Sequence, residues 1–406
     1  MREYLPLLAS LLALLAGLVV GKAWERYKLR DGRWIDRRRL RQTPHYMLGL
    51  TFLVQGDVDE AIDALTQASH TDVDALELQL ILGNLLREKG QVARAITIHQ
   101  SLLQRPRLTQ IEHAYILLCL GLDYRHAGFI DRAIEALTQV RALDPNNRHA
   151  LLHLQKLYEE QHQWADALRT REALASLTPD SAASTEIAGF LRNEIGREAR
   201  AAGDLPGAMR AFSSAIDTDA RTAPAYLNLG DVREQQGDIA GAIEAWEALA
   251  RAVPSRAALV TERLERGFDA LGQPTRFAEY CRRVIAGHPQ DWRTRLALAR
   301  HVAASGSPDD AFALLLDALP HNPHGLVIHQ EIWRLLLAID LRRALVEQYV
   351  GLTREAVFYL DPHICVRCQY RSTELLWQCP QCHEWNTFVE ERLSPAKPAA
   401  SLADLE

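Results

Sequence analysis

From Pro224 to Pro254 the chain reads PAYLNLGDVREQQGDIAGAIEAWEALARAVP, two stretches in which apolar residues return every three or four positions, parted by Gly237-Asp238. That spacing predicts two amphipathic helices joined by one turn. Small residues, Gly230 and Ala242, stand where the helices would touch, so their axes can approach closely. Trp246 is placed to fill the wedge between them. Gly237 accepts the left-handed conformation that closes the first helix, and Pro254 cannot continue the second.

The same frame recurs as Gly49 with Ala61, Gly83 with Ala95, Gly121 with Ala133, Gln155 with Ala167, Gly196 with Ala208, Arg266 with Ala278, and Ala299 with Ala311. The turn glycines Gly203 and Gly237 are 34 residues apart, as are Gly272 and Gly306. A helix pair of this length with small residues at the crossing is the tetratricopeptide repeat. The expected fold is therefore all-α, a superhelical solenoid over residues 45–359 with about eight to nine repeats. The units at Gln155 and Arg266 are degenerate. A further helix pair from His329 to about Tyr359 lacks the small-residue pattern and is expected to cap the array. The interval stretches between Ser181 and Thr185, where a division into two halves is expected. Cys119 and Cys281 sit inside helical patterns and read as buried apolar side chains.

Charge changes the picture at the amino terminus. The 17 residues Leu5 to Gly21 carry no charge, and Tyr4 and Trp24 flank them as interfacial aromatics would. A helix from Tyr4 to Trp24 would be about 30 Å long, the thickness of a bilayer core. Residues 22–41 hold nine Lys or Arg against three acids, whereas residues 42–406 carry a net charge of −12. The expectation is an uncleaved transmembrane anchor over 1–24, a basic juxtamembrane linker over 25–44, the amino terminus outside and the bulk of the chain in the cytoplasm. The collar also suits membrane lipid with anionic headgroups. The acidic body disfavours nucleic acid. No phosphate loop occurs, since Gly21-Lys22 is followed by Ala23, and no Gly-x-Ser-x-Gly elbow appears. No catalytic constellation stands out, so the chain is not expected to be an enzyme.

The most specific chemistry lies near the carboxy terminus. Cys365-Val-Arg-Cys368 and Cys379-Pro-Gln-Cys382 are separated by ten residues. Two such turns can aim four thiolates at one point, a closed tetrahedral shell for one structural metal ion, zinc or iron. The domain expected over 360–392 is too small to fold on its core alone. Tyr370, Trp377, Trp385 and Phe388 are its candidate apolar cluster, with His363 and His383 as adjacent spares. A thioredoxin-like redox pair would need a surrounding βαβ pattern, which is missing, and the cytoplasmic topology argues against disulfides. Only Leu360 to Ile364 part the last helical pattern from Cys365, so the module is expected to dock on the array, with Val357, Phe358 and Leu360 where it must sit and with Trp377 and Trp385 offering apolar area that so small a domain cannot bury entirely. Residues 393–406 read as a disordered tail.

The stretch CVRCQYRSTELLWQCPQCHEWNTF resembles the finger of a bacterial DNA-repair ATPase, but that protein needs a phosphate loop and carries its finger at the start of the chain. The whole chain is more similar to the lipopolysaccharide assembly protein B family of Gram-negative bacteria, which has an amino-terminal span, a tetratricopeptide array and a rubredoxin-like, zinc-ribbon metal domain in this order. Leu82-Gly83-Asn84-Leu85, Ala95-Ile96, Ile98-His99-Gln100, Leu120-Gly121 and Asp123-Tyr124 carry the likeness as well. The resemblance implies a single-pass protein of the bacterial inner membrane, with its amino terminus in the periplasm. It implies an adaptor for a membrane-bound AAA+ metalloprotease, with the lipid A deacetylase of the committed step as client and an inner-membrane, lipopolysaccharide-sensing regulator as partner. The alternative is a generic membrane-tethered co-chaperone or secretion scaffold using the same array.

Overall fold

The computed structural model describes residues 44–71, 76–177, 182–336, 347–350, 353 and 363–390. The expected anchor, the basic linker up to residue 43 and the tail lie outside them, as do Val357, Phe358 and Leu360. Among the described residues, no helix is long and apolar enough to cross a membrane.

The chain divides into two compact units, residues 1–154 and 155–406. The first holds three helix pairs: Pro44–Gln55 (α1) with Val58–Thr71 (α2), Leu76–Glu88 (α3) with Val92–Leu103 (α4), and Gln110–His126 (α5) with Ile130–Leu143 (α6). The division falls inside the next helix, Arg148–Glu160 (α7). The second unit continues with Trp164–Leu177 (α8), Ala182–Ala201 (α9), Leu205–Thr218 (α10), Ala223–Gln235 (α11) and Ile239–Ala252 (α12). A 3₁₀ turn over Pro254–Val260 leads to Thr261–Ala270 (α13), Pro274–Gly287 (α14), Trp292–Ala304 (α15), Pro308–Ala318 (α16) and Leu326–Leu336 (α17). The chain thus divides at Leu154/Gln155 and not near residues 181–185. The longer interval there is taken up by a longer helix, since α9 runs for 20 residues.

The repeat logic is visible at atomic level. Gly237 has φ 84°, and the N–H groups of Gly237 and Asp238 close α11 on the carbonyls of Glu234 and Arg233. The Asp238 carboxylate then accepts from Gly241 N–H at 2.9 Å and caps α12, so one Gly-Asp pair ends a helix and starts the next. Trp246 is fully buried, and a Cβ on Gly230 would lie 2.1 Å from its Nε1. Only glycine fits there.

Two units depart from the frame. In α13 and α14 the register is one residue earlier than expected. The turn at Gly272 places Glu265 and Phe277 at the crossing, instead of Arg266 and Ala278. Phe277 is fully buried against Leu264 and Phe268, so a large side chain replaces the small one and the pair is held by packing. The unit of α7 and α8 makes its turn without glycine, with His162 at φ 55°, a conformation uncommon for a residue with a Cβ. Cys119 and Cys281 are buried as expected, and burial pushes both thiols up, Cys119 to about 11.

In the first unit the family-like stretches converge. Asn84 and Arg87 on α3, His99 on α4 and Asp123 on α5 form one buried network. Arg87 donates to Asn84 at 2.9 Å and to Asp123 at 3.1 Å, and His99 Nδ1 lies 2.5 Å from the other Asp123 oxygen. Gln100 donates to the Tyr124 hydroxyl beside it. The network ties both helices of one repeat, α3 and α4, to the first helix of the next, α5.

Candidate metal centre

Three short strands build the carboxy-terminal module: His363–Cys365 (β1), Arg371–Ser372 (β2) and Phe388–Glu390 (β3). They pair antiparallel in the order β2-β1-β3, with Cys365 opposite Phe388. Each Cys-x-x-Cys turn is the same device. Gln369 N–H donates to Cys365 carbonyl and His383 N–H to Cys379 carbonyl, both at 2.9 Å. Gln369 and His383, just after each pair, take positive φ, which turns the chain back under its own thiols. Cys365 and Cys379 then donate N–H to the carbonyls of Tyr370 and Glu384, again both at 2.9 Å.

The two loops bring all four Sγ atoms within 4.8 Å of one another. Cys365 lies 3.7 Å from Cys382 and Cys368 lies 3.5 Å from Cys379. A tetrahedral thiolate shell with bonds of about 2.3 Å needs sulfurs roughly 3.8 Å apart, so the four residues expected from sequence fit one ion. Burial raises the Cys365 thiol, but the Thr387 hydroxyl and the N–H groups of Cys368 and Arg367 outweigh it and hold it at about 6. Burial and the neighbouring thiols push Cys382 up to about 12. A cation entering this set has to displace protons, so loading is pH-dependent. With a metal bound, four sulfurs would complete a tetrahedral shell and leave it no position for substrate. His363 and His383 are not in the cluster.

The module's own core is smaller than expected. It consists of Phe388 and the cysteines with Leu375 and Leu376, and Tyr370 stands edge-on to Phe388. Trp377 and Trp385 leave it and enter the array. Trp385 stacks on Phe190 of α9 with ring centroids 5.4 Å apart, and meets Trp164 of α8 edge-on at 6.3 Å. Its Nε1 donates to the Glu159 carboxylate of α7 at 3.2 Å, and Gln378 donates to the same oxygen at 3.1 Å. Gln155, the odd residue of the degenerate unit, donates to the other oxygen. Burial holds the Glu159 carboxyl above the usual carboxylate range, partly offset by these donors and by Lys156.

Further contacts reach along the second unit. Lys156 pairs with Glu384, Asn386 donates to Glu186, Arg256 lies over the Trp377 ring and donates to the Phe388 carbonyl, and Arg293 of α15 pairs with Glu390. Burial lowers the Arg256 guanidinium, and Glu390 raises it. The module therefore docks, as expected from the short connection, but on helices spread from α7 to α15. Glu159, Trp164, Phe190, Arg256 and Arg293 were not singled out by sequence. Gln155 and His162, which break the repeat pattern beside Glu159 and Trp164, were the signal that could have found the seat.

Fold and site together define a tetratricopeptide-repeat protein bearing a four-cysteine rubredoxin-type module. Residues 363–390 match the family model for the rubredoxin metal binding domain, and residues 46–107 and 193–257 match the tetratricopeptide repeat. Over 348 residues the chain is 29% identical to lipopolysaccharide assembly protein B of Escherichia coli (strain K12), covering 84% of this chain and 88% of that one. It is 26% identical over 357 residues to the protein of the same name from Haemophilus influenzae, with the same coverage. Among solved structures it is similar to a tetratricopeptide repeat protein from Parabacteroides merdae, at 15% identity and a TM-score of 0.34, over 72% of this chain and 97% of that chain. Array and module together are thus similar to the lipopolysaccharide assembly protein B proteins of these bacteria.

Proposed function

We propose that this chain is a non-catalytic adaptor in lipopolysaccharide assembly, held at the bacterial inner membrane by an anchor over residues 1–24. In this reading the array presents the lipid A deacetylase of the committed step to a membrane-bound AAA+ metalloprotease and answers to a lipopolysaccharide-sensing regulator in the same membrane. The observation that carries the reading is the likeness to lipopolysaccharide assembly protein B over 84% of the chain, spanning array and module alike. A closed four-sulfur site also supports it, because such a site holds structure and offers no position for chemistry.

Cys365, Cys368, Cys379 and Cys382 would hold the zinc or iron, whose part is to fix the module's fold. The chain's own side chains then seat that module. Trp385 and Trp377 fill apolar pockets, Glu159 accepts from Trp385 and Gln378, and Arg256 and Arg293 hold the strand end. Deleting the gene should raise the steady-state level of the deacetylase, and lipopolysaccharide with it, on an immunoblot. An unchanged deacetylase level would refute the adaptor and leave a scaffold.

A further inference from the structure

The first helix of the array breaks a rule that solenoid ends follow, that the terminal repeat turns a polar face outward. Helix α1, PHYMLGLTFLVQ, contains no Asp, Glu, Lys or Arg. Its inner side packs in the ordinary way, with Gly49 against Leu65 and with Tyr46 and Leu53 on the first core cluster. Its outer side carries Met47, Leu48, Thr51 and Val54 along one stripe, and these apolar side chains are 53%, 46% and 90% exposed for Met47, Leu48 and Val54. Thr51 donates its hydroxyl to the Met47 carbonyl at 2.9 Å, so it too adds little polarity. The partner helix α2 shows solvent the opposite chemistry, with Asp59, Glu60 and Asp63 exposed.

The chain before α1 says what covers this stripe. Only Gln42 and Thr43 separate Pro44 from Arg41, the last of nine basic residues in 22–41, and the uncharged run Leu5 to Gly21 precedes those. Basic residues are drawn to anionic headgroups, and an uncharged, apolar helix face inserts at the boundary between headgroups and acyl chains. We propose that the outer face of α1, centred on Met47, Leu48 and Val54, lies in the interface of an anionic bilayer, so that the first repeat rests on the membrane and does not hang from a loose tether. The proposal rests on the anchor reading above.

The test uses the full chain in nanodiscs of phosphatidylethanolamine and phosphatidylglycerol, with Val54 replaced by the photo-crosslinker benzoylphenylalanine. Val54 is so exposed that the replacement disturbs no packing. Asp63, replaced likewise, is the control. After illumination, mass spectrometry should find phospholipid adducts at position 54 at about tenfold the yield at position 63, as expected for a face inserted in the interface. Equal yields at the two positions, or adducts to a second copy or to another protein in place of lipid, would overturn it. Co-elution with the nanodisc in high salt reports on the anchor separately. A chain that fails to co-elute refutes both readings, whereas one that co-elutes without lipid adducts at 54 refutes this one alone.

Discussion

Replacing Trp385 by alanine should release the module from the array without unloading its metal. The indole is nearly buried between Phe190 and Trp164 and donates to Glu159, yet it lies outside the module's own core of Phe388, Leu375 and Leu376. Truncating a packed tryptophan costs about 3–5 kcal/mol. The buried Glu159 carboxylate also loses one of its donors. A loss of that size shifts the ratio of docked to free module by roughly two to three and a half orders of magnitude. Limited proteolysis of the full chain reads the result as the rate of cleavage within residues 360–364. The Trp385→Ala variant should be cut there as fast as in the 393–406 tail, while metal analysis still finds about one ion per chain. Wild-type protection in the variant, or loss of metal together with protection, would refute the reasoning.

Cys379→Ser should abolish metal binding and unfold the module, while circular dichroism retains most of the helical signal; metal retained at wild-type stoichiometry would reject the four-cysteine site. Gly230→Ala drives a methyl into Trp246, so the melting transition of the second unit should fall by the equivalent of about 1–3 kcal/mol, checked by calorimetry. Glu159 is held above its ordinary range in the folded chain, so its contribution to stability is fully present below the unfolded carboxylate value and is lost as pH rises through the raised folded one. Relative to Glu159→Gln, the metal-loaded wild type should therefore gain stability when pH is lowered from neutral toward that window, as measured by denaturant midpoints; parallel pH profiles would contradict this.

The parts of the fold that were legible in sequence are those fixed by local sterics. A glycine under Trp246 and a Gly-Asp turn leave few alternatives, so helix pairs and their period can be read directly. The four cysteines were legible for the same reason, since two short turns define the site without reference to the rest of the chain. The module's seat was not, because its contacts join residues 97 to 228 positions apart, and nothing local marks Glu159 or Phe190 as partners of Trp385. What local sequence did show was disagreement with the repeat. Gln155 and His162 look like decay of the pattern, and they lie on the unit that receives the module. The one-residue shift at Phe277 arose differently: counting from an alanine misplaced the crossing, and the turn at Gly272 sets the true register.

If the chain is the adaptor proposed above, it works only with its metal-held module seated on the second unit. The half-life of the lipid A deacetylase, followed after translation arrest in cells whose sole copy of this protein is Trp385→Ala, tests it most directly. A half-life lengthened to that of cells lacking the protein is expected, even though the variant should keep its metal and still fractionate as the wild type does. A half-life equal to that of wild-type cells would contradict it.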